Sequence, residues 1–556
     1  MKRLISLTSA CLLIAGILIS CKSKNPKSET PLEETVKKEI TTLPPVNPYL
    51  APGDYGISDL NSARTNTFGN KVKTDNYQIY SGILQEIIPA TLSNLTLNST
   101  SDAYCWVSGA NEIYYVATTE GRFLPMARLA LTERYDEEKM QTALRNYAEK
   151  NYTTGDSLTM AVKTLFQAQA TEPMPTNMLS LVDKSNTLFT IYNQQLLAIA
   201  LLDQANPAKG IQIMHQLNLK DMMPKDDRIV GLKMLFDGNL ILNSRQGHIC
   251  VISRDSLQLK NQLQIVPLQQ FFGPVAIDEK NGVYAVSDSL IMKLIWNGTN
   301  LSLNEKEGAW NYPITYDRDS LLLTKGGGVL GSPVLMGFGN DPDKLVVVAD
   351  GAKRANLLAF WRDEIPVDST KQKTDRLAGK ITINCGNYSG DDKTFLQSYH
   401  SLPVWGYGTL FVNTINGYPA PQSCLDFALL GSIIPCPKGI ERFEWDYKNN
   451  RWLSIWSEPE VSSSGVKPVI NTASKIVLLN SFDASNAVVG WNIKGFDWTN
   501  GSLINQIVFS SNTQYGNGMN GYMQFMKDGD MLFNSIGGVF RIAFGDERGV
   551  NKAPRL

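Results

Sequence analysis

GLKMLFDGNLILNSRQGHICVISRD, residues 231–255, decides how this chain is read. Short apolar runs alternate with turns of Gly, Asn and Asp, and no run is long enough for a helix. Asp237-Gly238 separates the first two runs, and such a pair supplies the positive φ that closes a hairpin. The unit returns in GPVAIDEKNGVYAVSDSLIMKLIWNGT (273–299) and GYMQFMKDGDMLFNSIGGVFRIAF (521–544). Asn281-Gly282 and Asp528-Gly529 take the place of Asp237-Gly238 there. Looser copies begin near Tyr104, Asn186, Pro342, Tyr399 and Ser474, which makes about eight units in all.

A sheet of this size hides both faces only if its neighbours cover them, and a radial array of repeats does so while leaving short edges. A pair of β-sandwiches or a β-helix are the alternatives. The step from Gly238 to Gly282 suits a four-stranded blade better than a shorter β-helix coil. The expected fold class is all-β, a seven- or eight-bladed β-propeller over 76–550. A small helical insertion is expected at about 133–170. In it Met140, Ala143, Leu144 and Tyr147 fall at helical spacing, and Asp136, Glu137 and Glu138 oppose the dipole of the first turn. A second helix is expected from Asp156, with Leu158, Val162 and Leu165 on one face. This insertion reads as packing, or as a lid over one mouth of the channel.

Composition sets the outer limits. The 556 residues are 43% hydrophobic and 19% charged, with 52 basic against 53 acidic side chains. The net charge of −1 offers no field for nucleic acid, and three histidines argue against a His-rich metal centre.

At the N-terminus, Lys2 and Arg3 precede an uncharged, mostly apolar stretch from Leu4 to Ser20. Its end, Leu18-Ile19-Ser20-Cys21, resembles the bacterial lipobox. The resemblance implies a lipoprotein signal peptide over 1–20, cleaved before Cys21, and acylation (palmitate among the chains) of Cys21. Two or more acyl chains anchor a protein stably without spanning the bilayer. Lys22 lacks the Asp that retains such lipoproteins in an inner membrane, so the expected place is the cell envelope, at the outer membrane. Residues 21–75, rich in charge, Ser and Pro, are expected to be a flexible tether, with the fold starting near Asn76.

GSPVLMGFGNDPDKLVVVADG (331–351), LLAFWRDEIP (357–366) and GIERFEWD (439–446) resemble segments of secreted bacterial propellers of the quinoprotein-like (PQQ-like) class, over about 180 to 545. The resemblance implies the fold first. Quinoprotein dehydrogenases hold their cofactor under a vicinal Cys-Cys disulfide, and no adjacent cysteines occur here. The Gly-Lys-Glu-Leu-Trp-like turn of their tryptophan docking motif is also missing. Both departures argue against PQQ binding.

Other chemistry is sparse. Gly326 to Gly331 and Gly516 to Gly521 match G-x-G-x-x-G, but neither opens a helix, as dinucleotide binding requires. No G-x-S-x-G, H-E-x-x-H, P-loop or C-x-x-C is present. Asp341, Asp343, Glu441, Asn471 and Asn520 form an oxygen-ligand pool suited to Ca²⁺, as in propeller lactonases. Asp341-Pro342-Asp343 also reads as a turn. His400, in SYHSLPVWGYG, is the candidate catalytic base, because inner-strand starts line a propeller channel. His215 and His248 read as strand residues. Trp405, Trp445, Trp452 and Trp456 read as seam core or as a ring-stacking platform, with Trp405, Asn471 and Asn520 the candidate binding residues. Arg362-Asp363-Glu364 reads as a charged loop end. With Cys11 in the signal and Cys21 lipidated, Cys424 and Cys436 are the best disulfide pair, and Cys250 the buried odd thiol.

Two functions fit. One is a membrane-anchored binding module for a small molecule, glycan or envelope protein. The other is a propeller enzyme, either a Ca²⁺-dependent hydrolase or lactonase or a quinoprotein-like oxidoreductase. Fold analogy alone supports the second.

Overall fold

The structure, a computed structural model, describes residues 41–51, 61–79, 94–96, 101–109, 112–119, 123–131, 137–148, 155–166, 179–265, 269–314, 331–366, 375–386, 395–415, 423–484, 490–509, 513–518, 523–535, 538–544 and 551–552. One turn recurs between the first and second strands of a sheet. Leu235 N–H donates to Asn239 O, Gly238 N–H donates to Leu235 O, and Gly238 stands at φ 87°. Asn281 (φ 61°) and Asn186 (φ 64°) close their turns with the same pair of bonds, as does Gly529 (φ 85°). This is a three-residue hairpin loop whose last residue is left-handed. The expected alignment of Asn281-Gly282 with Asp237-Gly238 is therefore one residue out, because Asn281 holds the left-handed place.

These hairpins extend into antiparallel meanders, each with its strands in chain order. We number them blade 1 (94–130), blade 2 (180–218), blade 3 (229–264), blade 4 (276–313), blade 5 (334–382), blade 6 (404–462), blade 7 (469–509) and blade 8 (524–542). Blade 4 has a divided outer edge, Leu301–Ser302 and Trp310–Pro313, both paired with Leu290–Trp296. Blade 8 has three strands among the described residues. Blade 7 is enlarged by Thr67–Phe68 on its inner edge, and by Tyr77–Ile79 and Asn551–Lys552 on its outer edge.

Side-chain alternation explains why the sheets stand face to face. In Leu345–Ala349, Leu345, Val347 and Ala349 pack with blade 6, while Val346 and Val348 pack with blade 4. In Leu240–Ser244, Leu240 and Leu242 face blade 2 and Ile241 faces blade 4. Successive side chains point to opposite faces, so an all-apolar strand must lie between two neighbours. Apolar clusters of this kind join blade 1 to 2 and continue in order to blade 7. The last joins blades 7, 8 and 1, where Ile493 and Phe533 pack in one cluster with Cys105 and Val116. The ring closes, and the fold is a β-propeller with eight blades among the described residues.

The helical insertion forms as α1 (Glu137–Ala148) and α2 (Gly155–Phe166). Ala143, Leu144, Tyr147, Leu158, Val162 and Leu165 are buried; the side chain of Met140 lies outside the described set. Although it follows blade 1, the pair packs across the ring on blade 6's insertion, where Tyr147 Oη donates to Ala428 O in α3 (Cys424–Ala428).

The N-terminal segment departs from expectation. Residues 62–68 are buried and bonded to the blades, so the tether expected through residue 75 ends earlier. Composition marked this stretch as a loop. Its contacts are made by backbone carbonyls, which composition does not report.

Candidate functional site

A propeller's first strands leave their inner edges without a sheet partner, and unmet N–H groups there cost stability. Here residues 61–68 meet them. Ile277 N–H of blade 4 donates to Ser62 O at 2.9 Å and Leu335 N–H of blade 5 to Ala63 O at 3.0 Å. Val404 N–H of blade 6 donates to Thr65 O at 2.8 Å, and Ile470 N–H of blade 7 to Asn66 O at 2.9 Å. The chain thus runs along the axial wall of four consecutive blades. Arg64 (φ 68°) and Asn66 (φ 53°) are left-handed, which turns the peptide planes so that neighbouring carbonyls face outward together. A regular strand would alternate them. Asn61 pins the entry, its Nδ2 donating to Thr65 Oγ1 at 2.7 Å and its Oδ1 accepting from Thr65 N–H.

Of the candidate residues, Asn471 bonds this segment directly. His400 is buried just before the first strand of blade 6, Nε2 facing Ser464 O at 3.2 Å, with Tyr399 edge-on at 4.6 Å. Burial, and then the Lys467 charge, depress its pKa to about 3 against the opposing Ser464 bond. Such an imidazole stays neutral and is a poor proton acceptor. Asn471 is buried and holds the wall segment: Nδ2 donates to Phe68 O and Asn70 O, and Oδ1 accepts from Ser474 N–H. Asn520 and Cys21 lie outside the described residues, as do Gly-rich residues 326–330.

The metal candidates have other partners. Asp341 Oδ2 accepts from Phe338 N–H at 2.7 Å and Oδ1 from Thr42 Oγ1, which closes a turn. Asp343 Oδ2 accepts the Trp445 indole N–H at 2.7 Å; burial raises its carboxyl above the ordinary range against that bond. Glu441 caps 384–385, with Oε2 accepting from Asn384 and Cys385 N–H and Oε1 from Ser454 Oγ. Among the described residues no three or more His, Cys, Asp or Glu side chains gather as a metal site. Along blades 4 to 7 the chain's own residues 62–66 take the inner-edge N–H groups, and the described candidate ligands Asp341, Asp343 and Glu441 are bonded within the protein.

Tryptophans lock seams. Trp296 Nε1 donates to Asp237 Oδ2 across blades 3 and 4 at 2.6 Å, as Trp445 does to Asp343 across blades 5 and 6. Trp106 Nε1 donates to Asn186 Oδ1 at 2.8 Å, and Arg254 Nε lies 3.5 Å from Asp183 Oδ2. A turn residue of one blade is thus held by a side chain of its neighbour, without the Gly-Lys-Glu-Leu-Trp-like turn. Trp405 is buried between blades 6 and 7 against Trp498, and Trp456 stacks on Phe496 with its indole N–H on Trp498 O. These rings serve the seam, and Trp405 has no open face for a ligand.

Two polar groupings escape the sequence patterns. Arg362, expected at a loop end, is buried between blades 4 and 5, with Nη2 donating to Gly337 O. Lys293 Nζ donates beside it to Asp363 Oδ1 at 2.8 Å. Burial opposes ionisation of Asp363, but the Lys293 bond and the nearby cations hold its carboxyl below the ordinary range. Asp227, Ser244 and His248 have the composition of a catalytic triad, yet Ser244 Oγ and His248 Nδ1 both face Asp227 Oδ2. The carboxylate is the shared acceptor, so the serine has no base and the group fastens a turn. Cys436 carries a free, buried thiol, so the expected Cys424–Cys436 bond is not formed; the side chain of Cys424 is not described. Cys105, Cys250 and Cys385 are also free, and burial pushes the Cys250 thiol up to about 12.

An open groove of about 660 Å³ lies between α1 and α2, lined by Glu138, Thr142, Asn146, Ser157, Met160 and Thr164 among others. No described helix is long and apolar enough to cross a membrane.

No protein-family model matches the chain. It is 26% identical over 295 residues to an uncharacterized protein of Archaeoglobus fulgidus, covering 50% of this chain and 54% of that one. The chain therefore spans about half the length of the relative it matches. Quinohemoprotein alcohol dehydrogenase from Comamonas testosteroni is similar at 12% identity and TM-score 0.46, over 86% of this chain and 76% of its own. The enzyme ADHIIG of Pseudomonas putida HK5 is similar at 10% and 0.48, over 88% and 80%. BamB from Moraxella catarrhalis is similar at 11% and 0.36, over 64% and 94%. All three scores lie below one half, and the propeller assignment stands on the sheet order and seams.

Proposed function

We propose that this chain is a lipid-anchored propeller of the cell envelope that binds a ligand or partner and performs no chemistry in its channel. The anchor is the acylated Cys21, most simply in the outer membrane, and the partner is a glycan, small molecule or envelope protein met at the ring's outer surfaces. One observation carries the reading. Blades 4 to 7 give their inner-edge N–H groups to Ser62, Ala63, Thr65 and Asn66, so their axial wall is covered by the chain's own backbone. The partnered states of Asp341, Asp343 and Glu441, and the neutral His400, support it further.

Elemental analysis and an absorbance spectrum of the purified protein test it, with melting before and after chelation. The expected result is no stoichiometric metal, no absorbance beyond the aromatic side chains, and an unchanged melting temperature. A stoichiometric Ca²⁺ whose removal lowers the melting temperature, or a bound chromophore, overturns the reading for the Ca²⁺-dependent hydrolase or quinoprotein-like enzyme. The anchor is tested separately. Cys21→Ser is expected to abolish the lipid mass increment and release the chain from membranes; retention of both contradicts it.

A further inference from the structure

The wall segment belongs to a longer path. Thr42 donates to Asp341 in a turn of blade 5, Asn47 Nδ2 to Met234 O and Leu235 O of blade 3, and Ala51 N–H to Val182 O of blade 2. Residues 62–66 then bond blades 4, 5, 6 and 7 in order. Phe68 stacks on Phe525 of blade 8 with ring centroids 5.3 Å apart, and Asn70 Nδ2 donates to Phe525 O at 3.0 Å. Tyr77–Ile79 leaves along the outer strand of blade 7, with Asn551–Lys552 at its other side. A segment that precedes every blade in sequence therefore touches blades 2 to 8.

We propose that this segment is an axial clasp: the ring locks only when residues 61–79 are seated, and their release opens it where blades 7, 8 and 1 meet. Three observations carry this. The first strands of blades 4 to 7 begin alike, at Pro274-Val275, Pro333-Val334, Pro403-Val404 and Pro468-Val469, and these are the four blades that grip residues 62–66. Proline lacks an N–H, so the edge donors begin after it, and the bond to the segment is made one to three residues on, at Ile277, Leu335, Val404 and Ile470. The left-handed Arg64 and Asn66, both fully buried, persist only where the surroundings over-determine the backbone. At blade 8, which has three strands among the described residues, the segment adds Phe68 and Asn70 at the first strand, Tyr77 against Phe544 at 4.7 Å, and Lys73 on Phe544 O. Blade 8's own hold on blade 1 includes Arg541 on Thr118 O and Lys527 with Asp102.

Hydrogen exchange read by mass spectrometry on the full chain tests the clasp. The N–H groups of Ile277, Leu335, Val404 and Ile470 are expected to exchange in the same slow phase as second-strand amides such as those of Leu345–Ala349. Their exchange in a separate, faster phase overturns the clasp and makes the segment an adhering tail. Asn471→Ala, which removes two bonds to the segment, gives a second reading. Exchange is expected to accelerate at least tenfold in residues 61–79 and in the first strands of blades 7 and 8, with blades 2 and 3 unchanged. Acceleration confined to the turn at Ser474 contradicts the proposal. If the variant does not fold, the measurement on the natural chain decides alone.

Discussion

His400 shows how a residue type suggestive of catalysis is spent on structure. Its ring is buried beside Lys467 and stays neutral down to about pH 3. An unfolded imidazole takes up a proton below about 6.5, so between these values the unfolded chain binds more protons and stability is lost as the pH is lowered. That stabilisation is whole above pH 6.5, and the loss on reaching pH 3 is on the order of 4 kcal/mol for this group. His400→Gln keeps a donor for Ser464 O and is expected to flatten the fall of the urea midpoint between pH 6.5 and 4. An unchanged slope would show that other groups govern acid lability. Trp296 is the second case. Trp296→Phe keeps the ring area but removes the N–H on Asp237, and is expected to lower stability by roughly 1–3 kcal/mol. A double-mutant cycle with Asp237→Asn should recover coupling from that pair, and strict additivity would contradict the seam bond. Neither bond was legible in the sequence, since each joins residues about 60 positions apart that only the folded blades bring together.

Hairpin turns were the most legible elements, because a three-residue loop demands a left-handed residue and only a few residue types accept one. Gly238 and Gly529 announce themselves. Asn281 and Asn186 were harder to place, because their side chains do more than tolerate the backbone. Asn281 Oδ1 accepts Phe236 N–H from blade 3 at 2.7 Å, and Asn186 accepts the Trp106 indole. Asn281→Gly therefore separates two accounts of the turn. Relief of left-handed strain alone would leave the melting temperature unchanged or raise it. The cap on Phe236 predicts a loss of about 1 kcal/mol, read as a lower denaturant midpoint with unchanged m-value. The helical pair was legible from its spacing, as Leu158, Val162 and Leu165 confirm by their burial. Its destination was not, because packing on α3 depends on the ring bringing blades 1 and 6 to one face.

At the scale of the molecule, the repeat was readable and the axis was not. Strand alternation such as Leu345–Ala349 tells that two faces are covered, but it does not tell what fills the middle. SARTNTF, residues 62–68, has the composition of a loop, and its bonds to the blades come from main-chain carbonyls. The signal that could have revealed it lies elsewhere, in four Pro-Val pairs that begin the gripping strands. The candidate site misled for the same reason. Asn471 lies beside the inner-edge segment as a channel ligand would, but it fastens that segment, while Asp341 fastens a turn and Asp343 a seam. The contacts between residues 62–70 and blades 4 to 8 join positions far apart in sequence, so the ring is expected to lock late and slowly. The ring's axial wall is thus lined by the chain's own backbone along blades 4 to 7. An experimental density map of the mature protein tests it most directly. Eight radial sheets are expected, with main-chain density for residues 61–68 bonded to blades 4, 5, 6 and 7. An open, solvent-filled channel beside those first strands, or a ring of seven sheets, would contradict it.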